Sequence, residues 1–326
     1  MRRGAVESWP TLLPTLINKL GYDRDTVEAR EYTVSQQKTH WIISGDLLIH
    51  AVIEGDSKAT PLVLVHGYPD NLQVWDQVTQ RLKDRYLIIR YDVRGAGKSD
   101  KPSKTNSYKL PLLAKDLEAV VNALIPGRGF HLIAHDWGSI QCWESVTGNT
   151  LKDRILSYTS ISGPCLDHVG WWIRNAVSSA NLPKLKRMAD QLAHSWYVFM
   201  FQIPVVPEAI WRIGLDKYWP DYLKKHEEIS DATYHSSQRD DGQYGVKLYR
   251  ANFVSRLLNP RIRIARCPVQ VIVPKRDAYV RPQLMDGLSS WVADLKILAI
   301  DAPHWAPITQ PERVAQAVSQ FVTEHS

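Results

Sequence analysis

The chain has 326 residues, with 44% apolar and 23% charged residues, and 40 Lys plus Arg against 34 Asp plus Glu for a net charge of +6. That balance excludes a disordered chain, a collagen-like repeat and a coiled coil. The basic clusters (Lys184, Lys186 and Arg187, then Arg261, Arg263 and Arg266) are short and lack interleaved stacking rings, which argues against a nucleic-acid binder. Residues 1–30 read as an N-terminal arm, because Pro10 and Pro14 break the apolar stretch and leave it too short for a leader or a membrane span. Strands are expected at about 31–36 and 47–53, an antiparallel start to a sheet. Short runs apolar on both faces follow at 62–65, 86–91, 130–134, 155–161, 269–273 and 295–300, as buried parallel strands require. Helical stretches at about 72–83, 112–125, 138–148 and 311–324 alternate with them, which predicts a doubly wound α/β sheet. The alternation fails once, between Pro164 and Val269, where five Trp gather in helical segments. The expected organisation is therefore an α/β core over 31–163 and 259–326, with a helical cap over 164–258 inserted after the sixth strand.

Three cysteines, Cys142, Cys165 and Cys267, have no CxxC spacing. They suggest buried thiols in a cytoplasmic protein and neither a disulfide framework nor a metal site. The chain also has 12 Trp and 14 Tyr but only 5 Phe, an excess of rings with polar handles. The cap tryptophans are expected to wall an apolar substrate channel.

Ligands of doubly wound sheets bind beyond the carboxyl ends of the strands. The segments found there are His66-Gly67-Tyr68-Pro69, Asp92-Val93-Arg94-Gly95, Ala134-His135-Asp136-Trp137-Gly138-Ser139, Asp277 and Pro303-His304-Trp305. The third has the small-x-nucleophile-x-small-small form of a nucleophile elbow, with Asp136 at the nucleophile position. A carboxylate attacks an sp³ carbon and leaves an alkyl ester on the enzyme. Hydrolysing that ester needs an activated water and two donors for the oxyanion. His304 suits the base and Asp277 its orienting acid, in the order 136, 277, 304. The backbone N–H groups of Tyr68 and Trp137 suit the donors.

On these residues the chain resembles an α/β-hydrolase of the epoxide hydrolase family, from about residue 30 to 324. The resemblance implies a cis bond before Pro69. It also implies two cap phenols over the nucleophile. One is Tyr197, in Tyr197-Val198-Phe199-Met200-Phe201-Gln202, and the other is Tyr249, before Arg250. A closer likeness is to the hydrolase half of fused hydrolase–short-chain dehydrogenase proteins of the mycobacterial epoxide hydrolase D type, which are linked to long-chain lipid substrates. No Gly-rich dinucleotide fingerprint follows here, so a hydrolase without a reductase half is expected.

The expected reaction converts an epoxide to a vicinal diol. Asp136, His304, Asp277, Tyr197 and Tyr249 are catalytic, and Tyr68 and Trp137 form the oxyanion hole. Trp137, Tyr197 and Tyr249 also contact the small-molecule or lipid-like epoxide. No metal and no cofactor is expected. Arg94 and Asp92 read as braces beneath the site and His66 as a loop anchor. A haloalkane dehalogenase and a ligand-binding pseudoenzyme are the alternatives. The substrate's identity and the oligomeric state stay open, and peripheral membrane contact is compatible with the charge.

Overall fold

Continuous apolar runs flanked by turn residues fold into the central sheet of a computed structural model, which describes residues 37–326. The arm expected over 1–30 and the strand expected over 31–36 lie outside the described residues. Eight strands occur in the order β1-β2-β4-β3-β5-β6-β7-β8. They are β1 Lys38–Ser44, β2 Leu47–Glu54, β3 Pro61–Val65, β4 Leu87–Tyr91, β5 Phe130–His135, β6 Ile155–Ile161, β7 Val269–Pro274 and β8 Leu295–Ile300. The six expected parallel strands are found within a residue of their bounds. β1 was not foreseen: its apolar run is only Trp41-Ile42-Ile43, and of its seven residues only Ile42 and Ser44 are buried. β2 runs antiparallel to β4, and the pairs from β4 to β8 are all parallel.

Register decides where the chemistry sits. Val65 pairs with both Tyr91 and Ala134, His135 pairs with Ile161, and Pro274 pairs with Ile300. The parallel strands therefore end at one level, and the segments after them emerge along one edge. Three helices follow β3, β4 and β5: α1 Asp76–Leu82, α2 Leu110–Leu124 and α3 Trp137–Val146. The stretch expected as one helix from 72 begins instead as a tight turn over Leu72–Trp75, where the Asn71 side chain accepts the Gln73 N–H at 2.9 Å.

Between β6 and β7 the described chain is helical. It forms α4 Leu166–Ser178, α5 Leu182–His194, α6 Trp196–Gln202, α7 Val206–Ile210, α8 Asp216–His226 and α9 Gln238–Leu258. α10 Ala306–Thr309 and α11 Pro311–Glu324 close the fold. One buried cluster, including Val63, Ile89, Leu132, Val120 and Trp143, lies against α2 and α3. The other, including Leu64, Ile88, Ile133, Val78 and Val318, lies against α1 and α11. The sheet is thus covered on both faces, as a parallel sheet must be.

Candidate active site

The turn from β5 into α3 places the candidate nucleophile. Asp136 adopts φ 51 and ψ −125, a backbone region that a non-glycine residue enters only when its surroundings impose it. The neighbours must be small for this. A Cβ on Gly138 would lie 2.3 Å from the Val65 carbonyl oxygen, and one on Gly163 would lie 2.2 Å from the Asp136 carbonyl oxygen. Ser139 is buried and donates to the Gly163 carbonyl at 2.6 Å.

The Asp136 carboxylate is held on both sides. The Tyr68 N–H donates to Oδ1 at 2.6 Å, and His304 Nε2 lies 3.6 Å from Oδ2. A Cβ on Gly67 would stand 2.3 Å from Asp136 Oδ1 and 2.6 Å from the Trp137 nitrogen. Only glycine leaves room for the carboxylate and the second N–H to share that corner. The Tyr68–Pro69 peptide is cis, as the resemblance implied.

His304 Nδ1 donates to Asp277 Oδ2 at 3.0 Å, and Asp277 Oδ1 accepts the N–H groups of Tyr279 and Val280 at 2.8 and 2.9 Å. Asp277 is completely buried. Burial alone would raise its pKa, but His304 and the two backbone donors hold it below the usual carboxylate value. Burial would lower His304, yet the Asp277 and Asp136 charges outweigh that and hold the imidazole well above its ordinary value.

The helical insertion supplies the opposite wall. Tyr197 of α6 and Tyr249 of α9 lie with ring centroids 5.9 Å apart, and Tyr249 packs edge-on against Trp137 at 4.8 Å. Burial pushes both phenols up, and the Asp136 charge adds to it, so both stay protonated at neutral pH. Phe201 and Phe253 pack on Tyr249, while Tyr279 meets both Tyr197 and His304.

The structure thus brings together Asp136, Asp277, His304, Tyr68, Trp137, Tyr197 and Tyr249. His66 is an anchor: Nδ1 donates to the Gly67 carbonyl at 2.9 Å while Nε2 accepts the Val93 N–H at 2.9 Å. Asp92 accepts from His50 and from the N–H groups of Leu72 and Lys98. Arg94 is bound by Asp116 at 2.6 Å. Both are braces, as expected. His135 turns away, donating Nε2–H to the His304 carbonyl at 3.0 Å, and burial pushes it down to about 4.

The expectation for the cap tryptophans needs correction. Trp196 is 63% exposed, and Trp171 donates to the Arg261 carbonyl away from the site. Trp211 and Trp219 pack inward, and Trp211 Nε1 donates to the Tyr68 hydroxyl at 2.7 Å. Tyrosines and phenylalanines make the wall, because its residues are set by which helix face meets Tyr68 and Trp137.

Two carboxyls were missed. Glu227, just past α8, is buried and accepts the His304 N–H at 3.0 Å; burial pushes it up to about 7. Its neighbour Glu228 has φ 59 and binds Arg276, which precedes Asp277. Asp70 accepts Trp305 Nε1–H at 2.8 Å and is also pushed up to about 7, mainly by burial. Asp70 could have been found by its place after Pro69. Glu227 carries no signal, since His226-Glu227-Glu228 looks like any solvated helix end. Among the described residues, no group of three or more His, Cys, Asp or Glu is arranged to hold a metal ion.

Residues 60–311 match the alpha/beta hydrolase fold family, and the chain belongs to it. Among curated proteins it is similar to the "Probable oxidoreductase EphD" of Mycobacterium tuberculosis, 34% identical over 294 residues that cover 88% of this chain and 50% of that protein. The chain therefore spans about half the length of that relative. It is also similar to "Epoxide hydrolase 3" of Xenopus tropicalis, 24% identical over 84% of this chain and 74% of that one. A mutant of an epoxide hydrolase from Bacillus megaterium matches with a TM-score of 0.72 at 20% identity, covering 87% of this chain and all of the other. A Vigna radiata epoxide hydrolase mutant matches with a TM-score of 0.72 at 19% identity, covering 89% and 99% of the two chains. The structural matches carry the fold. The curated relatives meet the likeness to epoxide hydrolases drawn from the motifs.

Proposed function

We propose that the protein is an epoxide hydrolase that opens its substrate through an ester on Asp136. The observation that carries the reading is one carboxylate with three kinds of neighbour: the Tyr68 N–H on one oxygen, His304 facing the other, and two protonated phenols opposite. Asp136 attacks an epoxide carbon, the C–O bond breaks, and Tyr197 and Tyr249 donate to the oxygen that leaves. An alkoxide is a poor leaving group, so such donation contributes roughly 10²–10⁴-fold. The aromatic wall suits a substrate with an apolar body.

Ester formation then alters the base. Neutralising Asp136 removes one of the two anions that hold His304 protonated, so the imidazole pKa falls. Neutral His304, oriented by Asp277, takes a proton from water, and the hydroxide attacks the ester carbonyl carbon. The N–H groups of Tyr68 and Trp137 receive the developing oxyanion. Acyl–oxygen cleavage sends out an alkoxide that takes the proton from His304 and becomes the vicinal diol, and the Asp136 carboxyl returns its own proton to His304 to become the carboxylate again. The helices of residues 164–258 act as the cap that supplies the phenols.

The test is His304→Gln with an epoxide that the unaltered protein hydrolyses. Turnover should fall roughly 10³-fold or more while intact-protein mass rises by one substrate. A slow variant with no adduct at any time would overturn the covalent route. In one turnover in heavy-oxygen water, label should enter Asp136 before it enters diol; label in the first diol released points to direct hydration. Halide release from haloalkanes, measured in parallel, separates the dehalogenase reading.

A further inference from the structure

The insertion carries a second surface that this reaction does not use. Of the 20 large apolar side chains exposed among the described residues, 11 lie between Val177 and Tyr218, so they are not scattered singly as on an ordinary soluble surface. Two outward stripes concentrate them. Trp196, Phe199 and Ile203 repeat at i, i+3 and i+7 along α6 and its end. Val206, Ile210 and Ile213 repeat at i, i+4 and i+7 along α7 and the turn after it, with Ile213 86% exposed. The stripes meet at Val205, which is 69% exposed with φ 70. A β-branched residue at positive φ is strained, and no burial offsets the strain here. No single helix among the described residues is long and apolar enough to cross a membrane. α6 and the stretch Val206–His226 together have the apolar length, but they are bent by 99°. That is the shape of a knuckle rather than a span.

Charge selects the occupant. Lys184, Lys186, Lys217 and Lys225 in the same segment are exposed and form no salt bridge. The acids nearby are engaged: Glu208 by Arg250, Asp216 by Arg239 and Asp190 by Arg281. A segment that combines exposed apolar stripes with exposed, unpaired cations complements an anionic lipid surface, whereas pairing with a second copy would bring like charges together. We infer that α5 to α8 dock on an anionic bilayer, with Trp196, Phe199, Ile203 and Ile213 entering the headgroup–acyl boundary and the lysines resting on the phosphates. The inner face of α6 carries Tyr197 and Phe201 into the site, so one helix presents the phenol inward and the apolar stripe outward. Docking would set the cap against the phase in which an apolar substrate dissolves. The inference holds whatever reaction the site performs.

The experiment is flotation of the full chain with vesicles of phosphatidylcholine alone or of equal parts phosphatidylcholine and phosphatidylglycerol. Binding should favour the anionic vesicles by roughly tenfold or more and weaken as salt rises. Ile203→Ser with Ile213→Ser should lower it by roughly tenfold. Lys184→Glu with Lys186→Glu should remove the preference for anionic lipid. All four side chains are exposed, so these variants keep the fold, and turnover of a water-soluble substrate should not change. Trp196 fluorescence should shift to the blue on binding. Absence of binding to anionic vesicles, or binding unchanged in the Ile203/Ile213 variant, would overturn the proposal. So would a concentration-dependent dimer that the same variant abolishes, because the face would then be a self-contact.

Discussion

The two walls of the candidate site are built differently. The sheet-side wall is a set of strand-end loops locked by hydrogen bonds: Asp136 by Tyr68, His304 by Asp277, and Asp277 by two backbone donors. Both oxygens of the Asp277 carboxylate and Nδ1 of His304 there have named partners. The opposite wall is a stack of rings on helices, with Tyr197, Phe201 and Tyr249 touching mainly edge to face. Hydrogen bonds impose geometry over tenths of an ångström, whereas ring packing sets a shape and tolerates sliding. The first wall suits the step that needs placed charge. The second suits substrate fit and delivery of a proton.

The largest expected effect tests that division directly. Tyr197→Phe with Tyr249→Phe keeps the rings and removes both hydroxyls, so ester formation should slow by roughly 10²–10⁴-fold. Hydrolysis of ester already formed should change little. Rapid-quench measurement of the two steps checks this; equal slowing of both would erase the distinction between the walls. Gly67→Ala should do the reverse kind of damage. Its Cβ would crowd Asp136 Oδ1 and the Trp137 nitrogen, so both steps should fall, by roughly 10²–10³-fold, and the clash with backbone should lower Tm as well.

Glu227 joins the two walls, since it comes from the insertion and holds the His304 backbone. Glu227→Ala should slow ester hydrolysis roughly tenfold and leave ester formation nearly unchanged. Glu227→Gln, which keeps an acceptor, should recover most of the loss. Similar rates for Ala and Gln would mean that the contact does not position the base.

A last effect concerns stability and not rate. Asp241, on α9, is buried beside Asp92 and accepts the Gly97 N–H at 2.7 Å and the Ser237 hydroxyl at 2.7 Å. Burial pushes it up to about 8. The folded state therefore holds this proton more tightly than the unfolded chain. Its contribution to stability declines as pH rises from the ordinary carboxylate range towards about 8, by up to about 1.4 kcal/mol per pH unit. Asp241→Asn carries no such charge, so its stability should fall less steeply between about pH 5 and about pH 8. Thermal melts of both proteins over that range check the sign.

The same contrast explains what could be read from the chain alone. Strands with both faces buried announce themselves as apolar runs, and an elbow demands small residues at set offsets, so Ala134, Gly138 and Ser139 point to Asp136. Asp277 and His304 could be picked out because each follows a recognisable strand, in the chain order 136, 277, 304. The ring wall is legible only through family likeness, which supplied Tyr197 and Tyr249. Phe201, Tyr279 and Glu227 escaped notice because nothing local marks which side of a helix or loop will meet a distant strand end. The tryptophan surplus misled for the same reason: composition counts rings but does not aim them, and Trp196 faces outward.

Tyr68 stands on both walls at once. Its N–H holds Asp136, while its hydroxyl accepts the Trp211 indole and its ring lies against α9, where a Cβ on Gly245 would come within 2.3 Å. The insertion is therefore tied to the same residue whose backbone N–H holds the Asp136 carboxylate. α6 reaches the same residue through Phe201, and the end of α7 reaches it through Trp211, so one side chain gathers three parts of the insertion around the backbone donor that holds Asp136.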